Sequence, residues 1–263
     1  MTRADRYVLV VAEASADREA AHALARRVLR EEHAWLDGLL GDGPPPEPDG
    51  RPTDLCPWRG VDPTEHLLKW TDIGKEARRR GVRAHGHFGG EPGAPDAQAA
   101  RKALLVAAEL APRPVAVVLS RDLDDQPERA RGFEQARRVS AWPFAVVLAL
   151  ANPMRECWVL AGFAPENEAE ATALDELRQR LGGDPRERAH ELTAKDEAAA
   201  RSPKRILKAL LQGREGREGR EGRELRCLLE ADLETLRARG EGSGLKAYLD
   251  EVRDRLAPIF TQV

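Results

Sequence analysis

Three apolar runs of strand-forming residues punctuate the first part of the chain: Tyr7 to Ala12, Pro114 to Leu119 and Phe144 to Leu150. Each is short, free of polar side chains and bounded by polar or turn-forming residues, the pattern of a strand buried on both faces. Between the runs, apolar positions recur at helical spacing. Ala21, Leu24, Ala25, Val28 and Leu29 predict one buried face of a helix reaching about Glu32, with Ser15 or Asp17 placed to cap it. Leu67, Leu68, Ile73 and Ala77 predict a second helix that starts near Asp62-Pro63-Thr64-Glu65 and ends before Gly81. Further helices are expected over 97–110 and 127–139. Strands alternating with helices predict an α/β fold built on a mostly parallel sheet flanked by helices.

Beyond Phe163 the strand signal stops. Helices are expected at 168–181, 186–200, 203–211, 223–239 and 244–257. Leu245, Tyr248, Leu249, Val252, Leu256 and Phe260 form a stripe that should dock the last of them. The division expected is therefore an α/β domain over 1–165 and a helical C-terminal extension over 166–263, packed on it. Two stretches fall outside these patterns. The Gly/Pro-rich segment from Gly38 to Gly60 predicts a loop insertion. Gly213 to Glu224 is four tandem copies of Gly-Arg-Glu, which offer no apolar face and predict a solvated, flexible connector.

Composition narrows the partners. Charged residues make up 33% of the chain, yet 42 Lys and Arg stand against 45 Asp and Glu, for a formal net charge of -3. Bulk charge does not suit such a chain to a polyanion, so nucleic acid would have to be held by a local basic patch or a bridging metal. Cys56, Cys157 and Cys227 are odd in number and far apart, which argues against a disulfide framework, and Cys157 lies in an apolar segment as a small core residue. With no signal pattern and no long apolar run, a cytoplasmic protein with no membrane association is expected.

Acids stand at the carboxyl ends of the expected strands. Glu13 follows the first run, Asp122 and Asp124 follow the second, and Glu156 comes soon after the third. An extended chain through Asp124 would put Asp122 and Asp124 on one side, with Leu123 on the other. Carboxylates that close repel, and a divalent cation such as Mg²⁺ relieves the conflict, with oxygen ligands and retained water. Ligands of open α/β sheets also sit beyond the carboxyl ends of strands. An acidic loop that caps the next helix has the same spacing. For Glu156, an acid in the first turn of a helix beginning near Pro153 is favoured by the helix dipole alone. His85 and His87 would share a face if extended, and the bland alternative, partly exposed strand residues, is preferred for them.

An apolar strand ending in Glu, followed by a later strand ending in Asp-x-Asp, resembles the Toprim domain of topoisomerases, primases and OLD-family nucleases. The first motif here is Val10-Val11-Ala12-Glu13-Ala14-Ser15-Ala16-Asp17, with Ala14 where the family usually has Gly. The second is Val117-Val118-Leu119-Ser120-Arg121-Asp122-Leu123-Asp124. Asn152-Pro153-Met154-Arg155-Glu156-Cys157-Trp158-Val159-Leu160 is similar to the Pro-x-x-Glu-x-Trp-x-Leu signature of small Toprim-like proteins of bacterial defence loci, as is Ser202-Pro203-Lys204 followed by helices. The resemblance implies a Toprim-like, Rossmann-like sheet whose acids collect Mg²⁺ or Mn²⁺. Glu13 would serve as general acid/base or additional metal ligand. Asp122 and Asp124 would hold the ion and Glu156 would complete or support the site. Arg121, Arg155 and Lys204 are candidates for the phosphate, although surface salt-bridging is the plainer role for Arg121 and Lys204.

The function expected is a divalent-metal-dependent nuclease, DNA ahead of RNA, acting in anti-phage defence. The alternative is a non-catalytic Toprim-like regulatory or interaction subunit working with a partner ATPase, since the chain has no Gly-x-x-x-x-Gly-Lys-Ser/Thr loop of its own. A homo-oligomer is compatible with either. Asp-x-Asp also occurs in phosphatases, which would leave Glu13 and Glu156 without a role. A primase or topoisomerase would need a zinc module or a strand-passage region that the sequence does not show.

Overall fold

The computed structural model describes residues 6–36, 57–59, 68–211 and 216–261. The expected helix start at 62–65, Leu67, most of the Gly/Pro-rich insertion and Cys56 lie outside them. The chain forms two compact units. The first comprises 1–120, 128–148 and 250–263, and the second 121–127 and 149–249.

A four-stranded parallel sheet carries the fold. β1 (Val8–Val11), β2 (Trp58–Arg59), β5 (Ala116–Asp122) and β6 (Ala145–Ala151) lie in the order β2-β1-β5-β6; β1, β5 and β6 are the three apolar runs, and β2 falls in the stretch expected as a loop insertion. β1 pairs with β5 from Val8↔Ala116 to Val11↔Leu119, and every residue of β1 is buried. Trp58 gives the insertion a two-residue strand on the outer side of β1, with its ring 4.8 Å from that of His22.

In the first unit, α1 (Ser15–Glu32) buries Ala21, Leu24, Ala25, Val28 and Leu29, the face expected. Asp17 reaches back to accept from the backbone N–H of Ala14 at 3.0 Å, satisfying a donor at the helix start. α2 (Ile73–Arg79) buries Ile73 and Ala77. It ends in a Schellman motif: Val82 N–H bonds to Ala77 C=O, Gly81 N–H bonds to Arg78 C=O, and Gly81 takes φ 68°. β3 (His87–Phe88) and β4 (Glu91–Pro92) form a hairpin whose two-residue turn, Gly89-Gly90, has φ of 61° and 91°. α3 (Ala97–Ala108) and α4 (Pro127–Arg138) complete the helices before β6. The C-terminal segment returns to this unit, where Val252, Leu256 and Phe260 are buried and His33 hydrogen-bonds the carbonyl of Ala257.

The second unit is helical around α5 (Glu156–Gly162). Trp158 stacks on Tyr248, and its indole N–H donates to the carbonyl of Ser243 at 2.8 Å. Around α5 lie α6 (Glu168–Leu181), α7 (Pro203–Leu210), α8 (Gly216–Glu230), α9 (Leu233–Arg239) and α10 (Leu245–Glu251). Gly162 is required for close packing, because a Cβ there would stand 2.2 Å from the carbonyl oxygen of Cys227 on α8.

Four expectations need correction: the helix expected from near 62 begins only at Ile73, with Lys69 before it bridged to Ala12 in parallel, and three others lie further along the chain. The helix predicted over 186–200 is a series of turns with one 3-10 segment, Ala189–Glu191. Asp184 accepts from Arg186 N–H and Asp196 from Ala198 N–H, local bonds that compete with a helix. The helix predicted over 223–239 is two, broken where Asp232 caps α9 through Thr235 N–H. The Gly-Arg-Glu repeat, expected as a flexible connector, is helical from Gly216 onward. Its last copy is docked: Arg223 is 1% exposed and ion-paired with Glu170, itself 1% exposed. Ion pairs hold this copy in place of an apolar face.

Candidate functional site

β5 ends at Asp122, and the pleat ends with it. Leu123 to Gln126 form a tight turn, closed by Gln126 N–H on the Leu123 carbonyl at 3.0 Å, with Asp124 and Asp125 at φ 54° and 58°. Positive φ at both central positions is a mirror-image turn, which Asp tolerates better than most side chains. The extended geometry that would set Asp122 and Asp124 on one side of a strand is therefore absent. A turn brings Asp124 round instead.

Backbone and side chain then fasten this turn to the segment before α5. Leu123 N–H donates to the Ala151 carbonyl and Asp124 N–H to the Pro153 carbonyl, each at 2.8 Å. Asp122 Oδ1 accepts from the backbone N–H of Arg155 at 2.9 Å. Both Asp122 and Glu156 thus stand at the N-terminal end of α5, where the helix dipole favours negative charge. Glu156 is the first residue of that helix, as expected for an acid after Pro153.

Arg155 is engaged inside the unit. Its guanidinium lies 2.8 Å from Glu224 Oε2 and 3.9 Å from Glu156 Oε1, with the three side chains 12%, 13% and 14% exposed. Cys157, fully buried behind them, donates its thiol to the Ala189 carbonyl at 3.2 Å. Burial pushes that thiol up, a backbone hydrogen bond from Met154 opposes this, and the charges of Glu156 and Asp122 push it up further. Asp122, Glu156, Glu224 and Arg155 therefore form one acid-rich cluster around the start of α5. Arg121, half-buried, directly precedes Asp122 in β5.

The other predicted residues have separate settings. Glu13 belongs to the first unit, exposed just beyond Ala12, whose backbone bridges Lys69 in parallel. Lys204, the second residue of α7, lies 3.7 Å from Glu197 with both side chains largely exposed, a pairing worth about 0–1 kcal/mol. His85 and His87 are exposed beside the β3–β4 hairpin, where Arg101 donates to both their carbonyls.

The donor chemistry of the α5 cluster is carboxylate oxygen throughout, which suits a hard cation. Mg²⁺ needs only one or two carboxylates besides water and substrate oxygens. Among the described residues no group of three or more His, Cys, Asp or Glu is gathered closely enough to hold a metal by itself.

Two participants were not expected from sequence. Glu224 was hidden in the repeat. Ser243, fully buried, accepts at its carbonyl from Trp158 Nε1 and from Asn152 N–H, tying the segment after β6 to the loop before α10. The Gly242-Ser243-Gly244 tripeptide was the available signal, since a Cβ on Gly244 would lie 2.2 Å from the Leu150 carbonyl oxygen.

No family model, no curated protein and no solved structure matches the chain.

Proposed function

We propose that the protein is a divalent-metal-dependent nuclease of the Toprim kind, hydrolysing phosphodiester bonds of nucleic acid as the effector of a defence system. The observation that carries this is the fixing of Asp122, at the carboxyl end of a central parallel strand, by the N–H of Arg155. A carboxylate held in one orientation is what a metal ligand requires. Asp124 follows in a turn whose backbone is fixed by Pro153, and Glu156 stands at the start of α5.

In this proposal Asp122 and Asp124 hold Mg²⁺ or Mn²⁺, and Glu156 supports them. Bound there, the ion supplies charge stabilisation to the attacking and leaving oxygens of the phosphodiester. Glu13 enters on the resemblance alone, as general acid/base or further ligand. Hydrolysis joins a water oxygen to phosphorus and breaks the bond to the leaving oxygen. The water's proton goes to a base, and the leaving oxygen gains one. Arg121, Arg155 and Lys204 are the candidate phosphate contacts; Arg155 is engaged by Glu224, and Lys204 lies near Glu197.

The same engagement of Arg155 favours a second reading, in which the acids are structural and the protein is an interaction subunit of a partner ATPase. The test is cleavage of duplex DNA, single-stranded DNA and RNA in Mg²⁺ or Mn²⁺, with and without such a partner, by wild type and Asp122→Asn. Loss of cleavage in a folded variant supports the nuclease. Equal activity and equal metal affinity in the two proteins would end that reading.

A further inference from the structure

The stretch from Lys75 to Arg83 carries Lys75, Arg78, Arg79, Arg80 and Arg83 against a single acid, Glu76, in a chain whose net charge is -3. All five cations are exposed. Local structure explains how so much like charge is presented together. Ile73 and Ala77 hold α2 down by its apolar side, which turns Lys75, Arg78 and Arg79, at i, i+3 and i+4, outward. The Schellman turn at Gly81 then reverses the chain and leaves Arg83 exposed just beyond the same helix end.

Glu76 neutralises only part of this. Its Oε1 accepts from Arg79 at 2.7 Å and from Arg80 at 2.6 Å, and these bonds, led by that from Arg79, hold its carboxyl below the usual value. Lys75, Arg78 and Arg83 have no acidic partner among the described residues. Cations in the last turn do complement a helix dipole. That accounts for Arg78 and Arg79, but it leaves Lys75, a turn earlier, and Arg83, beyond the helix.

We infer that the C-terminal end of α2, through Lys75, Arg78 and Arg83, is a docking surface for the phosphodiester backbone of nucleic acid. The inference rests on the nuclease reading and supplies the surface that grips its polymer. Exposed cations without acidic partners displace the counterions condensed on a polyanion backbone, which is how such a backbone is bound without sequence preference.

Binding is measured by fluorescence anisotropy of fluorescein-labelled duplex DNA, single-stranded DNA and RNA in EDTA, where cleavage cannot contribute. The variants are Lys75→Ala/Arg78→Ala/Arg83→Ala and a control, Arg131→Ala/Arg138→Ala/Arg253→Ala, which removes three exposed arginines elsewhere. Circular dichroism checks that each is folded. The patch variant should bind at least ~10-fold more weakly near 0.1 M salt, and its salt dependence on duplex should flatten by about 0.9 per lost contact, while the control binds like wild type. The relative strength on the three probes identifies the preferred polymer.

An unchanged affinity and salt slope, equal loss in the control, no binding by wild type, or displacement by polyglutamate as effective as by DNA would each overturn the inference. Retained DNA binding in Asp122→Asn without any metal-dependent cleavage by wild type would sink the nuclease and leave the docking surface standing. Cleavage by wild type with undiminished binding by the patch variant would do the reverse.

Discussion

The carboxylate of Asp122 and the backbone N–H of Arg155 meet at 2.9 Å, joining the end of β5 to the start of α5. A hydrogen bond to a charged acceptor contributes about 1.5–3 kcal/mol. Asp122→Asn keeps an acceptor oxygen but removes the charge, whereas Asp122→Ala removes both. If the charge holds a metal ion, Asp122→Asn should lower cleavage by about 100-fold or more with little change in thermal midpoint. Asp122→Ala should lose the activity and also destabilise the fold by about 1–3 kcal/mol. Parallel activity and melting measurements separate the two effects; equal destabilisation by both variants would mean that the carboxylate acts on the fold alone.

Legibility in the sequence followed the physics of each element. β1, β5 and β6 were visible because strands buried on both faces must be uninterrupted apolar runs, and Val117-Val118-Leu119 and Val146-Val147-Leu148 are such runs. α1 was visible through a five-residue apolar face at regular spacing. The turn at Asp124 was not, because Asp-x-Asp after a strand is equally compatible with extension and with a left-handed turn. The first turns of α8 were missed for a different reason: Gly-rich triplets carry poor helix propensity, and the helix is held by Arg223, Glu224, Cys227 and Leu228 at its C-terminal part, which lies in the helix expected from 223. Of the proposed site, sequence located the individual acids. The pairing of Arg155 with Glu224 depends on tertiary packing, which no local pattern encodes.

Asp184 makes the second unit sensitive to acid. Its burial raises the carboxyl, but bonds from the Arg186 side chain and N–H and from Arg178 outweigh this and hold it well below the usual range. A depressed folded value means stability that is present above the unfolded value, about 3.9, and is lost as pH falls below it toward the folded value. Urea midpoints of wild type should therefore exceed those of Asp184→Asn at pH 6, with the gap narrowing from about pH 4 downward. A gap that is constant with pH would assign the effect to shape rather than charge.

Cys157 and Cys227 should be inert in the native protein. Burial pushes the Cys227 thiol up to about 12 despite the nearby Arg223, and it raises Cys157 as well. The thiolate is the reactive form, so at pH 8 both should resist iodoacetamide until the chain unfolds. Peptide mass spectrometry after native and guanidinium-denatured labelling reads each site separately. Rapid native labelling of either would show that its helix opens locally.

The final prediction concerns the ion pair that closes the Gly-Arg-Glu repeat. Arg223 lies over the Phe163 ring, donates to the Ala164 carbonyl at 2.6 Å and to Glu170 at 3.1 Å, and stands 3.2 Å from Glu166. Burial works against its charge, but the bond to Glu170 and the neighbouring negative groups keep it firmly protonated. Arg223→Ala would strand Glu170, 1% exposed, without its cation, and breaking a buried pair in this way costs about 3–5 kcal/mol. Glu170→Gln should also destabilise, and the double variant should lose less than the two single losses together, because each single change already removes the shared interaction. Arg220→Ala, one triplet earlier and exposed, should change stability by no more than about 0.5 kcal/mol. Because the four copies are identical, deleting one triplet leaves Arg-Glu directly before Leu225, and that variant should melt close to wild type. Denaturant unfolding of these five proteins decides the matter: additive losses at Arg223 and Glu170, or a large loss at Arg220, would show that the last copy is not what anchors α8.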